Sequence, residues 1–165
     1  MKRAGIMLAA VGAAALALGF GPTARAADSP KDQITDIEHK ALAATSTQEA
    51  FSYDDPNDIV LFDFVPPLEY KGATAVKGDL DNFFNNAKDV KGEFKELQVV
   101  TDGKLAVAYS VQHFTWKGND GKPMEATVRV TDAYHKVGGK WKMFHSHVSV
   151  PVDPKTGQGQ MNLNS

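Results

Sequence analysis

The spacing of hydrophobic residues changes partway along the chain, from a helical period to a strand period. A first helix is predicted to begin at Ser29-Pro30, where a serine can cap the helix and a proline suits its first turn. A short second helix follows a capping-box pattern that begins at Ser46. A third helix is predicted over residues 72–87, where Val76 and Leu80 lie on one side.

β-Branched and aromatic residues dominate the remaining segments. They predict one strand over residues 58–64, ended by Pro66-Pro67, and four strands after the third helix, at 93–101, 105–116, 124–135 and 141–150. This order predicts an α+β fold, in which a cone-shaped, curved antiparallel β-sheet wraps over three N-terminal helices. A conical cavity between the two layers is the expected ligand site.

The two ends of the chain differ from this domain. Lys2 and Arg3 precede an apolar run over residues 6–20, and Ala24-Arg25-Ala26 offers the small residues that a signal peptidase reads. We therefore expect a signal peptide over residues 1–26, a domain over 27–152 and a flexible tail over 153–165. The apolar run is too short to span a membrane, so the mature protein is expected to be secreted or periplasmic, with no membrane partner.

Charge and cysteine content narrow the function classes. Three of the 18 basic residues and none of the 20 acidic ones lie in the signal segment, so the mature 139 residues carry a net charge of −5. That balance argues against a nucleic-acid partner. The chain has no cysteine, so disulfides, thiolate metal sites and thiol nucleophiles are excluded. We expect no cofactor.

The last predicted strand carries a His-x-His pair, His145 and His147. Strict alternation places both on one face with Trp141 and Met143. Two histidines are fewer than the three ligands that a metal site needs, so no metal is expected.

The turn before this strand leaves two registers open. A three-residue turn over 137–139 sets Arg129 opposite His147 and Thr131 opposite His145, whereas a two-residue turn moves Arg129 to the other face. In the first case Arg129 and the histidines form a polar cluster that can bind a carboxylate or another polar group of a ligand. If this face points outward instead, the cluster lies in solvent or in a dimer interface.

Three further residues are candidates for lining a ligand pocket. Tyr53 and Trp116 offer apolar surface, and His113 is a possible polar contact on a middle strand. Each is equally compatible with an ordinary core or strand-face position.

Two stretches resemble a known superfamily. They are IVLFDFVPPLEYKG, residues 59–72, and VRVTD with GKWKMFHSHVS, residues 128–132 and 139–149. Both are similar to the SnoaL-like and ketosteroid-isomerase-like branch of the nuclear transport factor two-like superfamily, whose fold is a cystatin-like roll. The resemblance implies that Asp63 occupies the position of the catalytic base of ketosteroid isomerases.

The oxyanion donors of those isomerases have no counterpart here. No tyrosine stands near residues 39–42 of the first helix, and the meander strand offers Thr131 with Asp132 beside it. We therefore expect an exported domain that binds a small, largely apolar ligand. One alternative is an isomerase, cyclase or dehydratase with Asp63 as base and a histidine as partner. Another is a non-catalytic association module that dimerises through the outer face of the sheet, as in the association domain of calmodulin-dependent kinase.

Overall fold

The computed structural model describes residues 28–163, so the expected signal peptide lies outside the described residues. Three helices pack on one sheet: α1 (Pro30–Leu42), α2 (Thr47–Phe51) and α3 (Gly72–Asn86). Ser29 and Asp32 form a capping box at the start of α1. The Ser46 side chain accepts a hydrogen bond from the Glu49 amide at the start of α2. Local sequence thus sets where both helices begin. No helix in residues 28–163 is long and apolar enough to cross a membrane.

Six strands form a single curved sheet. They are β1 (Val60–Phe62), β2 (Tyr70–Lys71), β3 (Lys88–Thr101), β4 (Leu105–Lys117), β5 (Pro123–Val137) and β6 (Lys140–Ser149). Their order across the sheet is β2-β1-β6-β5-β4-β3. The α+β prediction is confirmed, and the sheet is mixed because β1 runs parallel to β6 while every other pair is antiparallel.

Two hydrophobic clusters lie on the helix side of the sheet, which we call the inner face. The first joins helix residues such as Ile34 and Val76 to strand residues such as Tyr134. The second, which we call the floor, contains side chains from β4, β5, β6 and the residue just after β6. Its members are Phe114, Trp116, Ala126, Val128, Val130, Val148 and Val150. The floor is therefore a buried apolar cluster supplied by the sheet, in which Ala126, Val128 and Val130 are 2%, 2% and 7% exposed.

The hairpin between β5 and β6 corrects the expected register. Gly138 and Gly139, both with positive φ, form a two-residue turn, because Val137 pairs with Lys140. A register shift then occurs where Ala133 pairs with His145 and Tyr134 with Met143, which leaves Phe144 as an extra residue. As a result, Arg129 pairs with Ser149, two residues from the His147 partner that a three-residue turn would give it. The bulge also keeps Arg129 on the face of the histidines, which a two-residue turn alone would not do.

The bulge at Phe144 also overturns the expected composition of the strand's faces. Trp141 and Met143 are buried on the inner face, whereas His145 and His147 lie on the opposite, outer face. One extra residue reverses the alternation of side chains within a strand. The prediction that Trp141 and Met143 wall the histidine cluster is therefore wrong.

The segment after β6 folds back onto the sheet. Val152 pairs with Gly159, and the Thr127 amide of β5 donates a hydrogen bond of 2.6 Å to the Met161 carbonyl. Residues 151–160 thus form a hairpin, and Met161 takes a place beside β5 that β6 leaves after Ser149. The flexibility expected for residues 153–165 stays a prediction.

Candidate functional site

Asp63 lies at the edge of the floor. Leu61 of β1 is buried beside Ser146, and Phe62 points outward beside His147. Because side chains alternate along a strand, Asp63 points toward the inner face. Continuing the parallel register by one residue sets Asp63 level with Val148, a member of the floor. On this extrapolated register, the half-buried carboxyl of Asp63 stands at the end of β1 that is nearest to Val148.

The surroundings of Asp63 favour its protonated form. Burial raises the pKa of Asp63 to about 6, and the charge of Asp79 on α3 adds to the rise. A hydrogen bond of 2.7 Å from the Phe64 amide to Asp63 Oδ1 opposes this rise of the pKa. Burial also raises the pKa of Asp79, and the nearby Tyr70 hydroxyl opposes this rise. Asp63 is thus a carboxyl that can take up and release a proton close to neutral pH.

The segment after Asp63 is apolar and exposed. Phe64 and Val65 are partly exposed, and Leu68 is 91% exposed beyond Pro66-Pro67. The Tyr70 hydroxyl donates to the Pro66 carbonyl at 3.1 Å. Hydrophobic side chains that are not buried by the chain itself are available to contact a ligand.

A second group of acids is buried deeper on the inner face. The Tyr134 hydroxyl donates to Glu38 Oε1 at 2.7 Å, which joins β5 to α1. Burial raises the pKa of both Glu38 and Asp132, and the charge of Glu38 raises that of Asp132 further. Two carboxyls in one buried place cannot both ionise readily, so this arrangement favours the protonated form of one of them. Within residues 28–163, Asp132 Oδ1 has no hydrogen-bond partner.

Asp54 is a third carboxyl near the buried pair of Glu38 and Asp132. It is 7% exposed, and the loop that carries it pairs with Met143 of β6. Burial raises the pKa of Asp54 to about 7, against the attraction of Lys142. None of Asp54, Glu38 and Asp132 was predicted from the sequence to be buried. For Glu38 a signal existed, since it follows Ile34 by one helical turn on the buried side of α1.

The predicted polar cluster lies on the outer face. Arg129 and Thr131 are exposed there, and Thr131 pairs with His147. His145 Nδ1 lies 3.0 Å from the Val60 carbonyl oxygen. The Phe62 ring meets both histidine rings edge-on, with centroids 4.8 Å from His145 and 5.9 Å from His147. Any ligand of this cluster would bind outside the cone.

Asp63 and the two histidines therefore lie on opposite faces of the sheet. The structure does not bring them together as an acid–base pair. Among residues 28–163, no three His, Asp or Glu side chains are grouped so that they could hold a metal ion.

The remaining candidates are dispersed. Tyr53 accepts a backbone hydrogen bond of 2.9 Å from Met143 in the loop after α2. His113 lies on the outer face, with Nδ1 3.1 Å from the Thr127 hydroxyl. Trp116 belongs to the floor and also lines an open groove of about 1020 Å³ at the far end of β4 and β5. Of these three residues, only Trp116 is part of the inner apolar surface.

With this geometry in hand, comparison with known proteins defines the class. The model of the SnoaL-like domain family matches residues 32–153. The chain therefore belongs to the SnoaL-like domain family, as its sequence resemblance predicted. None of the curated protein sequences matches this chain.

Solved structures agree on the fold. An NTF2-like protein of unknown function from Pseudomonas putida is 23% identical, with a TM-score of 0.73 over 82% of this chain and 96% of that one. A cystatin-like protein from Caulobacter vibrioides is also 23% identical, with a TM-score of 0.61 over 75% and 90% of the two chains. A ketosteroid isomerase-like protein from Erwinia carotovora is 19% identical, with a TM-score of 0.62 over 72% and 93%. At these identities the likeness establishes the NTF2-like fold.

Proposed function

We propose that this protein binds a small, largely apolar organic molecule on the floor and that Asp63 exchanges a proton with it. One observation carries the proposal: a half-buried carboxyl with a pKa of about 6 directly follows β1, which pairs with β6 next to the apolar cluster of the floor. A carboxylate of this basicity is ionised at neutral pH, and it is a stronger base than an ordinary aspartate.

The chemistry that suits this arrangement is proton transfer within one bound molecule. Asp63 would remove a proton from a carbon or oxygen acid held on the floor and return it at a neighbouring atom, as an isomerase, cyclase or dehydratase does. The ketosteroid isomerase-like neighbour shares the fold on which such chemistry is known. The histidines of β6 have no part in this proposal, because they lie on the outer face.

Binding is tested by filling the floor. In Val130→Trp, a larger side chain occupies the surface beside Val148, while Val137→Trp places the same side chain at an exposed position near the β5–β6 turn. We expect a fluorescent anilinonaphthalene sulfonate probe to bind the natural protein and the Val137 variant, and to bind the Val130 variant at least tenfold more weakly. Equal binding by all three proteins would contradict the proposal.

Proton exchange is tested by Asp63→Asn. The natural protein should accelerate deuterium uptake at the acidic carbon of a cyclic ketone, with a rate that rises as Asp63 ionises near pH 6. The variant should lose this acceleration by a factor of about 10² or more. Binding of the probe without any dependence of exchange on Asp63 would leave a ligand-binding protein that is not an enzyme.

We also propose that two copies associate through the outer face. Four apolar side chains of β3 and β4 are exposed there: Val100 at 61%, Leu105 at 54%, Val107 at 40% and Tyr109 at 46%. In the register of the sheet they continue through Thr131 and His147 to Phe62. A contiguous apolar patch with few charges suits a second copy of the same surface.

Sedimentation equilibrium tests this association. We expect a dimer for the natural protein and a monomer for Val107→Glu, which sets a charge in the middle of the patch. Lys104→Glu, in the turn before β4, is the control that should remain dimeric. A natural protein that stays monomeric at high concentration would overturn the dimer proposal.

Export is proposed from residues 1–26 alone. Expression of the full chain in a bacterium, followed by mass analysis of the periplasmic and medium fractions, should give a protein that begins at Ala27. An uncleaved chain confined to the cytoplasm would exclude export.

A further inference from the structure

The two histidines of β6 lie in the middle of the outer face, within the patch through which we propose that two copies associate. β6 has β1 and β2 on one side and β5, β4 and β3 on the other. Strand pairing sets each histidine in a row of side chains that crosses the sheet. The row of His145 is Val60, His145, Ala133, Val107 and Val100, and the row of His147 is Phe62, His147, Thr131, Tyr109 and Gln98. A second copy that covers these rows covers the histidines as well.

Neither row carries an acid that could balance the charge of a protonated histidine. The titratable and charged side chains nearest to the pair are, strand by strand, Lys71 of β2, Lys142 of β6, Arg129 and His135 of β5, Tyr109 of β4 and Glu96 of β3, and β1 has none among its three residues. Lys71 forms an ion pair of 2.7 Å with Glu69. His135 lies 2.7 Å from the carboxyl of Asp55. The one acid of the set lies three strands from β6, at a distance of about 14 Å. A proton on either histidine therefore adds to the positive charge of Arg129.

The neutral form of each histidine suits a covered surface. His145 Nδ1 lies 3.0 Å from the Val60 carbonyl oxygen, so a neutral ring can donate this hydrogen bond while its other nitrogen carries no proton. The Phe62 ring, which packs edge-on against both histidines, supplies apolar surface. An ionised side chain that loses its water without gaining a partner is strongly disfavoured. A second copy that excludes water from this face therefore selects uncharged histidines.

We propose that association through the outer face requires His145 and His147 to be neutral, so that the protein is a dimer at neutral pH and a monomer in mildly acidic solution. This regulation rests on the proposed dimer, since it uses the same patch. Histidine ordinarily changes its charge between pH 5 and 8, and in a two-fold symmetric dimer each histidine is covered once in each copy. Acid therefore weakens association steeply, because every protonated histidine must lose its proton when two monomers join.

Sedimentation equilibrium at pH 7.5 and pH 5.0, at the same ionic strength, measures the effect. We expect the dissociation constant of the natural protein to rise by about 100-fold or more at pH 5.0, because at least one histidine in each copy must lose a proton before association. Circular dichroism at both pH values verifies that the monomer stays folded. A natural protein that is equally dimeric at both pH values would overturn the regulation and leave the dimer intact. A natural protein that is monomeric at pH 7.5 would overturn the dimer, and the regulation with it.

Replacement of both histidines by glutamine identifies the groups responsible. Glutamine is polar and uncharged at either pH, so the double variant His145→Gln, His147→Gln should dimerise at pH 5.0 about as tightly as at pH 7.5. His113→Gln is the matched control, because His113 lies on the same face but beside Thr127 and Glu125, outside the two rows. This control should keep the pH dependence of the natural protein. If the double variant dissociates in acid as the natural protein does, other groups control association and the proposal is wrong.

A single substitution covers the case in which the double variant does not fold. His147 is exposed, so His147→Gln leaves the packing of the monomer unchanged. It should reduce the effect of acid on the dissociation constant at least tenfold, because two protons fewer are released for each dimer that forms. An effect of acid as large as that of the natural protein would exclude His147 from the regulation.

Discussion

The two faces of the sheet differ in which residues they carry and in how deeply those residues are buried. The inner face carries carboxyls within an apolar core, and burial raises the pKa of Asp54, Asp63 and Asp132. The outer face carries histidines and apolar side chains that stay partly exposed, such as Tyr109. Some polar residues thus lie within the core, where they are costly, and some apolar residues lie where water reaches them.

These buried carboxyls and exposed apolar side chains indicate where functional sites should be sought. A buried carboxyl destabilises the fold unless it is protonated or hydrogen-bonded, so its presence requires a reason other than stability. Exposed apolar side chains on one strand face likewise indicate a partner. These features motivate the proposals of a ligand site on the inner face and of a dimer interface on the outer face.

The largest contrast is expected between two tyrosines on neighbouring strands. Tyr134 on the inner face is fully buried, while Tyr109 on the outer face is 46% exposed. Tyr134→Ala should lower the free energy of unfolding by about 3–5 kcal/mol, since it leaves a cavity and removes the hydrogen bond that Tyr134 donates to Glu38. Tyr109→Ala should cost less than about 1 kcal/mol in the monomer. Urea unfolding at low protein concentration measures both, and equal losses would mean that both faces are core.

The next contrast depends on pH. Asp54 has a pKa of about 7 in the folded state and an ordinary value of 3.8 when unfolded. Between these values the folded state keeps a proton that the unfolded chain has lost, so stability falls as pH rises through this window. Asp54→Asn should therefore add about 2–4 kcal/mol at pH 8 and little at pH 4.

Urea unfolding at both pH values checks this prediction. Asp58→Asn, an exposed position in the same loop, is the control and should change stability little at either pH. A loss of stability for Asp54→Asn at pH 8 would show that its carboxylate is stabilised by Lys142, and that burial is the smaller effect.

The sequence predicted the fold better than it predicted the site. The helix caps at Ser29 and Ser46, and the glycine turn at residues 138–139, are local signals, and the structure contains each of them. The faces of β6 were assigned wrongly because strict alternation ignores a bulge, and no residue type near Phe144 announces one. Errors of one residue have little effect on a fold, but they move every side chain of a strand to the opposite face.

The burial of the inward carboxyls was not predicted, for a related reason. Asp132 lies in an alternating strand whose neighbour Thr131 is equally polar, so the sequence alone does not say which of the two is buried. Asp132 is close to Glu38 in space, although the two residues lie 94 positions apart in the sequence. In the structure, the hydrogen bond that Tyr134 of β5 donates to Glu38 of α1 marks this contact.

A smaller effect is expected at Asp63, because its carboxyl is only half-buried. Its pKa of about 6 again exceeds the unfolded value of 3.8, so stability falls as pH rises between these values. After allowance for solvent screening, Asp63→Asn should gain about 1–2 kcal/mol at pH 8 and almost nothing at pH 4. The same variant is expected to lose proton exchange. If the variant gains stability but keeps the proton exchange, the Asp63 carboxyl is buried but is not the group that exchanges the proton.

The smallest effect, and the sharpest test of the outer face, is expected at His147. Its side chain is exposed and contacts Phe62 edge-on, so His147→Ala should change the stability of the monomer by less than about 0.5 kcal/mol. In a dimer formed through this face the same substitution would remove a buried contact, and its cost should grow with protein concentration because association stabilises the folded state by mass action. Unfolding measured at two concentrations tenfold or more apart distinguishes these cases. A large cost that is independent of concentration would place His147 in the core of a single chain, and the distinction between the two faces would fail.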